Sequence, residues 1–186
     1  DFSCFSFYPT KLLGAIGDGG AIISKKKKFK NYLKKFRNYG SIKRYKNDII
    51  GKNSRLDEIQ ALFLDIKLKS LNRIILHKKK LAEVYFSNLN KNFILPKIEN
   101  HKSDTFYIFN VRHEKRNKLK EYLTKNNIMT DINYPIPPFK QIALKPYFSD
   151  NYPISQEIHN TTLSLPISFA HTQKEIHNLT KIMNRF

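Results

Sequence analysis

The chain has 186 residues, and its 34 Lys and Arg against 15 Asp and Glu give a formal net charge of +19 at pH 7. Its 40% hydrophobic and 13% aromatic residues are enough to bury a core, which excludes an intrinsically disordered basic tail. No apolar run approaches the roughly 20 residues of a membrane-spanning helix, and the single cysteine, Cys4, excludes an internal disulfide. We therefore expect a globular protein of a reducing, cytoplasmic compartment, with no membrane partner.

The beginning of the chain predicts two strands separated by a loop and a turn, followed by a basic helix. Residues 2–8 alternate apolar and small polar side chains, as strands do, and a glycine-rich turn at residues 17–20 precedes a second, buried strand at residues 21–23. Residues 27–38 carry apolar side chains at helical spacing, and Gly40 predicts the end of this helix. Pro9 predicts the end of the first strand, and residues 10–14 are expected to form a loop.

Most of the positive charge comes from lysine, since the chain has 27 Lys and only 7 Arg, spread along its length. Arg rather than Lys is the residue that recognises phosphates in a bidentate manner. The longest lysine run, at residues 25–28, lies where a strand gives way to a helix, which favours a solvated turn. We therefore expect no nucleic-acid partner, although a basic nucleotide- or nucleic-acid-binding protein stays open as an alternative.

A polar loop over residues 40–53 precedes the clearest helix start in the sequence. Ser54, followed three residues later by Asp57, forms a capping-box pattern. An apolar stripe after it predicts a helix to about Asn88, with or without a break. This helix connects the first part of the chain to the second.

The second part of the chain predicts a small α/β unit. A polar linker at residues 96–103 marks the expected domain boundary, so residues 1–95 complete a larger domain with its connecting helix, and residues 96–186 form a small domain. The predicted elements of the small domain are a strand at 106–111, a helix at 114–125, a strand at 128–134, a short helix at 155–162, an extended segment at 163–166 and a last helix capped by Thr172 and Glu175.

Lys11 lies just after the first strand, in a loop that contains aromatic side chains. Burial disfavours the charged ammonium form, so an environment of this kind can leave a lysine with a neutral, nucleophilic amine suited to Schiff-base chemistry. Most lysines in a chain with 27 of them are simple surface residues. Lys11 is therefore a candidate only if its sequence context supports it.

Four sequence blocks give that support, because they occur together in the order and spacing of one enzyme family. They are SFYPTK with GDGGAI (residues 6–11 and 17–22), RNYG with GKNSRLDEIQA (37–40 and 51–61), YPIPP with Gln141 (134–138 and 141) and LSLP (163–166). Together they resemble the later part of the DegT/DnrJ/EryC1/StrS family of pyridoxal 5′-phosphate (PLP)-dependent sugar aminotransferases, and within it the enzymes that act on dTDP-linked 3-keto-6-deoxyhexoses. The resemblance implies an α/β, aspartate-aminotransferase-like fold (a fold type I PLP transferase), present in part.

The resemblance also implies roles for five residues. Lys11 matches the catalytic lysine, which holds PLP covalently and moves a proton between the substrate carbon and the cofactor. Ser6 matches a hydroxyl donor to the PLP phosphate, with a small packed strand residue as the alternative. Asn53 matches an asparagine that reaches the phosphate in the neighbouring subunit's site; a helix N-terminus there would favour an anion, and a plain N-cap is the alternative. Tyr8 and Tyr134 are candidate substrate contacts that suit a core equally well.

The implied activity is transfer of an amino group, from glutamate, to a keto group of a nucleotide-linked deoxysugar for surface polysaccharide, lipopolysaccharide or glycan synthesis, by a homodimer. The phosphate-binding turn, the ring-stacking aromatic and the acid that pairs with the ring nitrogen precede the lysine in the complete family. A chain that begins at Asp1 directly in an apolar strand is therefore expected to be a fragment that is inactive alone. A non-catalytic remnant, with an exposed sheet edge and exposed apolar helix faces, is the alternative.

Several positions depart from the family pattern. Leu12 follows the lysine where Asn is usual, and Tyr107, Asn133 and Phe139 stand where the family usually has His. The last two flank the proline-rich loop, so these differences concern the substrate side. None of the six histidines has metal-ligand or triad spacing, so we expect no metal and no catalytic histidine.

Overall fold

The computed structural model describes residues 2–99, 102–149 and 151–186. Backbone contacts divide the chain into two compact units, Asp1–Asn72 and Arg73–Phe186. The first contains β1 (Phe2–Ser6), β2 (Gly20–Ser24), α1 (Lys27–Phe36), β3 (Ser41–Lys43), β4 (Lys46–Asn47) and the beginning of α2 (Glu58–Asn88). The second contains the rest of α2, β5 (Phe109–Arg112), α3 (Arg116–Lys125), 3₁₀ segments at Pro138–Lys140 and Ile142–Tyr147, α4 (Pro153–Thr161), β6 (Thr162–Leu165) and α5 (Gln173–Met183). The chain is mixed α/β, as predicted.

β1 and β2 are the two predicted strands, and the structure pairs them as an antiparallel hairpin with Cys4 opposite Ile22. α1 packs beside it, and the rings of Phe2 and Phe29 meet edge to face with their centroids 6.1 Å apart. The prediction that these strands are buried is wrong for this chain, because Phe2 is 60% and Ile23 58% exposed. A two-stranded sheet has two open edges, and α1 covers only part of its surface, so solvent reaches both strands.

Residues 40–53, predicted as a loop, contain the short hairpin of β3 and β4. Gly40 precedes it with a φ of +80°, a left-handed conformation that favours glycine. A Cβ at this position would lie only 1.6 Å from the Ile49 carbonyl oxygen, so no other residue fits there. α1 ends at Phe36 with Arg37 as its C-cap, slightly before the predicted end, and the Gly40 N–H donates to the Lys35 carbonyl oxygen at 2.9 Å. The glycine also admits the close approach of the returning chain.

The predicted capping box at Ser54 is wrong. α2 begins at Glu58, and its first helical hydrogen bond runs from the Ala61 N–H to the Asp57 carbonyl oxygen at 3.0 Å. The Ser54 N–H instead donates to the carbonyl oxygen of Arg37 at 2.9 Å. Pairing with the end of α1 therefore holds this segment extended and delays the helix.

The buried apolar side chains of the second unit form one cluster. They come from α2, β5, α3, β6, α5 and the segments between them: Leu81, Ala82, Tyr85, Phe93, Phe106, Phe109, Val111, Leu119, Leu123, Leu163, Leu165, Ile167, Ile176, Leu179 and Met183. At its centre the Tyr85 ring stacks on Phe109 with the centroids 4.6 Å apart, and the Tyr85 hydroxyl donates to the Pro166 carbonyl oxygen at 2.7 Å. Antiparallel pairing of β5 with β6 completes this core.

The predicted strand at residues 128–134 is not a regular strand. It contributes one isolated antiparallel bridge, between Asp131 and Ser164. The Asp131 Oδ1 accepts the N–H of Ile132 at 2.8 Å, and such a local side-chain bond competes with a strand ladder. The capping box of the last helix, by contrast, is present as predicted at Thr172 and Glu175.

α2 runs without a break, and the boundary between the two units falls inside it. Its second half belongs to the second unit because Leu81, Ala82 and Tyr85 are buried in the core there. The predicted domain boundary between residues 95 and 96 stays a prediction, since it concerns the domains of a complete enzyme. Across the described residues, no helix is both long enough and apolar enough to cross a membrane.

Candidate active site

Lys11 lies in the loop that joins β1 to β2, on a tight turn. The turn is closed by a hydrogen bond from the Lys11 N–H to the Tyr8 carbonyl oxygen at 2.8 Å, and Pro9 occupies the position where its fixed φ suits such a turn. Gly14 folds back so closely that a Cβ there would lie 2.3 Å from the Pro9 carbonyl oxygen. Lys11 itself is half-buried. The backbone from which its side chain extends is therefore fixed by local contacts.

Two side chains of α2 bind the rest of this loop. The Gln60 Oε1 accepts the N–H groups of Ile16 at 3.0 Å and Gly17 at 3.2 Å, and the Lys67 Nζ donates to the Gly14 carbonyl oxygen at 2.7 Å. Sequence inspection missed both contacts, because the partners lie 43 to 53 residues apart. The available signals were the presence of Gln60 in the second sequence block and the helical spacing that puts Lys67 on the same face.

Ser6 and Tyr8 belong to the same segment as Lys11. Ser6 is the last residue of β1, it is exposed, and its Oγ accepts the Tyr8 N–H at 3.3 Å. Tyr8 is 52% exposed, so it is not a core aromatic in this chain. The exit of β1 thus presents one amine and two hydroxyls on a short stretch of backbone.

Asn53 lies on a different segment of the first unit. The prediction that Asn53 lies at a helix N-terminus is wrong, because α2 begins only at Glu58. Its backbone pairs with Asn38 in an antiparallel bridge, and the Arg55 Nη1 donates to the Asn38 Oδ1 at 3.1 Å. A recess of about 530 Å³ beside this bridge is lined by Asn31, Lys34, Arg37, Asn38, Ser41, Ile42 and Arg55. Its charged side chains are all basic, which suits an anion.

Tyr134 lies in the second unit and is 64% exposed, which makes it a surface residue. The Nδ1 of His159 donates to its carbonyl oxygen at 2.6 Å. The neighbouring Asn133, one of the positions that depart from the family pattern, accepts a hydrogen bond from the Ser164 Oγ at 2.9 Å. Asn133 therefore binds the end of this loop to β6.

The sequence model of the DegT/DnrJ/EryC1/StrS aminotransferase family matches residues 1–184. The chain belongs to this family. The predicted resemblance and the enzyme class, a PLP-dependent sugar aminotransferase family, are thereby confirmed.

Two relatives within the DegT/DnrJ/EryC1/StrS family have names that state a nucleotide-linked sugar as their substrate or product. The chain is 41% identical over 187 aligned residues to the dTDP-3-amino-3,6-dideoxy-alpha-D-galactopyranose transaminase of Aneurinibacillus thermoaerophilus, covering 100% of this chain and 52% of that protein. It is 30% identical over 186 residues to the UDP-N-acetyl-3-dehydro-alpha-D-glucosamine 3-aminotransferase of Acidithiobacillus ferrooxidans, covering 100% of this chain and 50% of that protein.

A solved structure confirms the predicted fold. The X-ray structure of S. venezuelae DesV in complex with a ketimine intermediate matches with a TM-score of 0.95 and 31% sequence identity, covering 99% of this chain and 51% of that one. The aspartate-aminotransferase-like fold is therefore present in part. The chain spans about half the length of the curated relatives that it matches.

The residues of this family member fit two ends of PLP, the cofactor of the family. Lys11 supplies a primary amine, the group that an aldehyde takes up. The Ser6 Oγ accepts the Tyr8 N–H, and accepting that bond leaves the hydroxyl's own proton for a phosphate oxygen. Both residues lie at the exit of β1, so one short segment offers an amine for the aldehyde and a hydroxyl donor for the phosphate.

The second unit contains buried titratable groups that sequence inspection did not single out. Lys78 is only 6% exposed, its Nζ donates to the Tyr107 carbonyl oxygen at 3.0 Å, and burial lowers its pKa to about 8. Burial also raises the pKa of Tyr85 and lowers that of His113. Within the described ranges, no three His, Cys, Asp or Glu residues are placed to bind a metal, and His101 lies outside those ranges.

Proposed function

We propose that this chain is the lysine-bearing part of an aminotransferase that uses PLP to move an amino group, with glutamate as donor, to a keto group of a nucleotide-linked deoxysugar. The observation that carries the proposal is the family match over residues 1–184 together with Lys11 on a fixed turn at the exit of β1. The 41% identical relative, a dTDP-amino-dideoxysugar transaminase, supports a dTDP-linked 3-keto-6-deoxyhexose as substrate. The aminated sugar would enter a surface polysaccharide, lipopolysaccharide or glycan.

Lys11 is the residue to which we assign the proton transfer. PLP, when bound, supplies an electron sink that stabilises the negative charge developing on the reacting carbon. The Lys11 amine, once it is neutral, would act as a general base that takes a proton from the substrate carbon and returns it to the cofactor. The turn from Tyr8 to Lys11 and the close approach of Gly14 keep the amine on a fixed backbone, as proton transfer over a short distance needs.

Ser6 and Asn53 are the proposed phosphate donors. Ser6 offers a hydroxyl proton on the segment that carries Lys11, which supports contact with a phosphate in its own subunit. Asn53 lies on a separate exposed segment, paired with Asn38, and its amide can donate to a phosphate held by a second copy of the chain. A homodimer with shared sites is therefore part of the proposal.

Tyr8 and Tyr134 are the proposed substrate contacts. Both are more than half exposed, at 52% and 64%, so a bound sugar nucleotide can reach them. A phenol both donates and accepts hydrogen bonds, which suits sugar hydroxyls and diphosphate oxygens. The free, exposed Cys4 is compatible with a reducing compartment, so we place the reaction in the cytoplasm.

We further propose that the 186-residue chain does not turn over by itself. In the family resemblance, the acid for the ring nitrogen, the stacking aromatic and the phosphate-binding turn belong to the half of the relatives that this chain does not cover. Without the acid, the protonated pyridine ring is not stabilised and the electron sink is weak.

Borohydride reduction in the presence of PLP tests the proposal. We expect the natively expressed gene product to carry one pyridoxyl group on Lys11 by peptide mass spectrometry, and Lys11→Ala to carry none. Modification of another lysine, or of none, would overturn the assignment of Lys11. The same treatment of the 186-residue chain alone should give no selective modification, and a chromophore lost in Lys11→Ala would contradict its inactivity.

Amino transfer is then measured directly. The native gene product, glutamate and a dTDP-linked 3-keto-6-deoxyhexose should yield the amino sugar and 2-oxoglutarate in equal amounts. A product formed only from a UDP- or GDP-linked sugar would move the substrate assignment to another nucleotide. Absence of product with every keto-sugar, in protein that carries PLP on Lys11, would count against a sugar substrate.

A further inference from the structure

We propose that Gln60 and Lys67 of α2 are positioning residues for Lys11, which they fix by binding the far side of its loop. The inference rests on the proposed function, because it takes Lys11 as the residue whose position matters. It goes further in assigning the placement of Lys11 to two side chains of a helix distant in sequence. Neither residue needs to touch the substrate or PLP.

Gln60 binds the loop through a single atom. Its Oε1 accepts both the Ile16 and the Gly17 N–H, at 3.0 and 3.2 Å. The amide side chain also lies close to the loop backbone, since a Cβ on Gly17 would come within 2.6 Å of the Gln60 Nε2. Gln60 therefore fixes the end of the loop that leads to β2.

Lys67 binds the loop two helical turns further along α2. Its Nζ donates to the Gly14 carbonyl oxygen at 2.7 Å, the short distance typical of a charged donor. Gly14 is buried, and a Cβ there would collide with the Pro9 carbonyl oxygen. The residue that Lys67 holds is thus the residue that packs against the turn carrying Lys11.

The two contacts act on one side of the loop. Residues seven apart in an α-helix lie on the same face, so Gln60 and Lys67 approach the loop together. Their partners, Gly14, Ile16 and Gly17, are consecutive or nearly so, and the Tyr8–Lys11 turn lies directly against Gly14. Loss of one contact leaves the turn attached to the hairpin but weakens its attachment to α2.

Amide hydrogen exchange tests the Gln60 contact on the full chain. We expect Gln60→Leu to raise the exchange rates of the Ile16 and Gly17 amides at least tenfold, while Gln60→Glu, which keeps the acceptor oxygen, preserves their protection. The Phe7 amide, bonded to the Gly19 carbonyl oxygen at 2.8 Å, reports that the hairpin is still folded. If Gln60→Leu also raises the exchange rate of the Phe7 amide, Gln60→Asn is measured instead. Asn keeps the side-chain amide but is too short to reach the Ile16 and Gly17 N–H groups, so it should raise their exchange rates alone. Unchanged exchange at Ile16 and Gly17 would overturn the proposal.

Competitive acetylation of lysines tests the consequence for Lys11. Lys67→Met should raise the acetylation rate of Lys11 at least threefold, Lys67→Arg should restore the wild-type rate, and the rates of other lysines should not change. Lys69→Met is the matched control, because Lys69 pairs with the exposed Asp65 at 3.0 Å instead of binding the loop. A Lys11 rate that is the same in Lys67→Met and Lys69→Met would contradict positioning.

These outcomes are separable from those of the proposed function. Failure of PLP to modify Lys11 in the native gene product would remove the role of Lys11 but leave the exchange and acetylation results standing. Unchanged exchange and acetylation, with PLP on Lys11, would reject the positioning roles alone. Native product with Gln60→Leu should also carry less pyridoxyl on Lys11, and Gln60→Glu should restore it.

Discussion

The two units of the chain are stabilised by different interactions. The second unit buries a continuous apolar cluster, with side chains such as Tyr85 and Phe109 fully inaccessible to solvent. Among the described residues of the first unit, the buried apolar side chains are Ala15 and Leu64, and polar contacts from α2 hold the Lys11 loop. The proposed catalytic residue is therefore in the unit with the smaller apolar core.

Most of the stability is therefore expected in the second unit, whereas the proposed catalytic residue lies in the first. Apolar burial is the main stabilising contribution to folding, so the second unit has the larger share of the chain's stability. Segments with few buried apolar contacts open at lower free energy, which we expect of the β1–β2 hairpin. The exposed apolar strands and the exposed face of α2, with Ile59 at 65% and Leu62 at 62%, agree with the surfaces expected of a partial domain.

Removing a ring from the core of the second unit should have the largest effect. Phe109→Ala deletes a fully buried ring that stacks on Tyr85, and we expect the free energy of unfolding to fall by about 3–5 kcal/mol. The matched change in the first unit, Phe5→Ala, removes a ring that is 50% exposed and should cost under about 1 kcal/mol. Urea unfolding followed by circular dichroism measures both. Equal losses would show that the two units do not differ in this way.

Lys78 should make the stability of the second unit depend on pH. Its pKa is lowered to about 8 in the folded chain from 10.5, so above pH 8 the unfolded chain binds more protons than the folded one. Stability must then rise with pH in this range, and we expect about 1–2 kcal/mol between pH 8 and pH 9.5. Unfolding in urea at several pH values measures the rise, and Lys78→Met should abolish it.

The control for this prediction is the neighbouring Lys79→Met, which should keep the rise with pH. The range stops at pH 9.5 because burial raises the pKa of Tyr85, so deprotonation of that tyrosine in the unfolded chain lowers stability at higher pH. A fall in stability between pH 8 and pH 9.5 in the wild-type chain would contradict a buried Lys78.

Helix caps give a smaller and sharper test of the same contrast. Thr172→Ala removes the side chain that accepts the Glu175 N–H at 3.2 Å in the second unit, and we expect a loss of about 1 kcal/mol. Ser54→Ala alters the matching sequence pattern in the first unit, where the structure has no cap, and should change stability by less than about 0.5 kcal/mol. Urea unfolding measures both changes in the free energy of unfolding. A loss in Ser54→Ala equal to that in Thr172→Ala would indicate that Ser54 caps a helix after all.

The Thr172 and Ser54 patterns also show which features of the structure can be predicted from the sequence. Thr172 and Glu175 interact within one helical turn, so their pattern is enough to predict the structure. The Ser54 pattern is just as good, but the Ser54 N–H pairs with Arg37, a partner that nothing local identifies. Local patterns predicted most elements, and they failed where a more distant contact decided the backbone.

The candidate site likewise has features that local sequence patterns predict and others that depend on contacts distant in sequence. The two strands, the loop between them and the positions of Ser6, Tyr8 and Lys11 in it follow from strand alternation, glycines and the family blocks, whereas the antiparallel pairing of the strands does not. The anchoring by Gln60 and Lys67 depends on how α2 packs against that loop, which spacing alone does not contain. The second unit's buried Lys78 is missed for a related reason, since a run of three lysines gives no sign that one of them is buried.

The smallest effect is expected on the exposed strand β2, and it tests the contrast most directly. Ile23 is 58% exposed, and Ile23→Thr keeps the branched Cβ that suits a strand, so the free energy of unfolding should change by less than about 0.5 kcal/mol. The same substitution at Ile176, which is 1% exposed in α5, should cost several times more because it buries a hydroxyl in the apolar cluster. Urea unfolding of both variants at several protein concentrations measures the difference. A concentration-dependent cost at Ile23 comparable to that at Ile176 would mean that β2 is covered in solution by a second copy, and the first unit would then share the apolar burial that distinguishes the second.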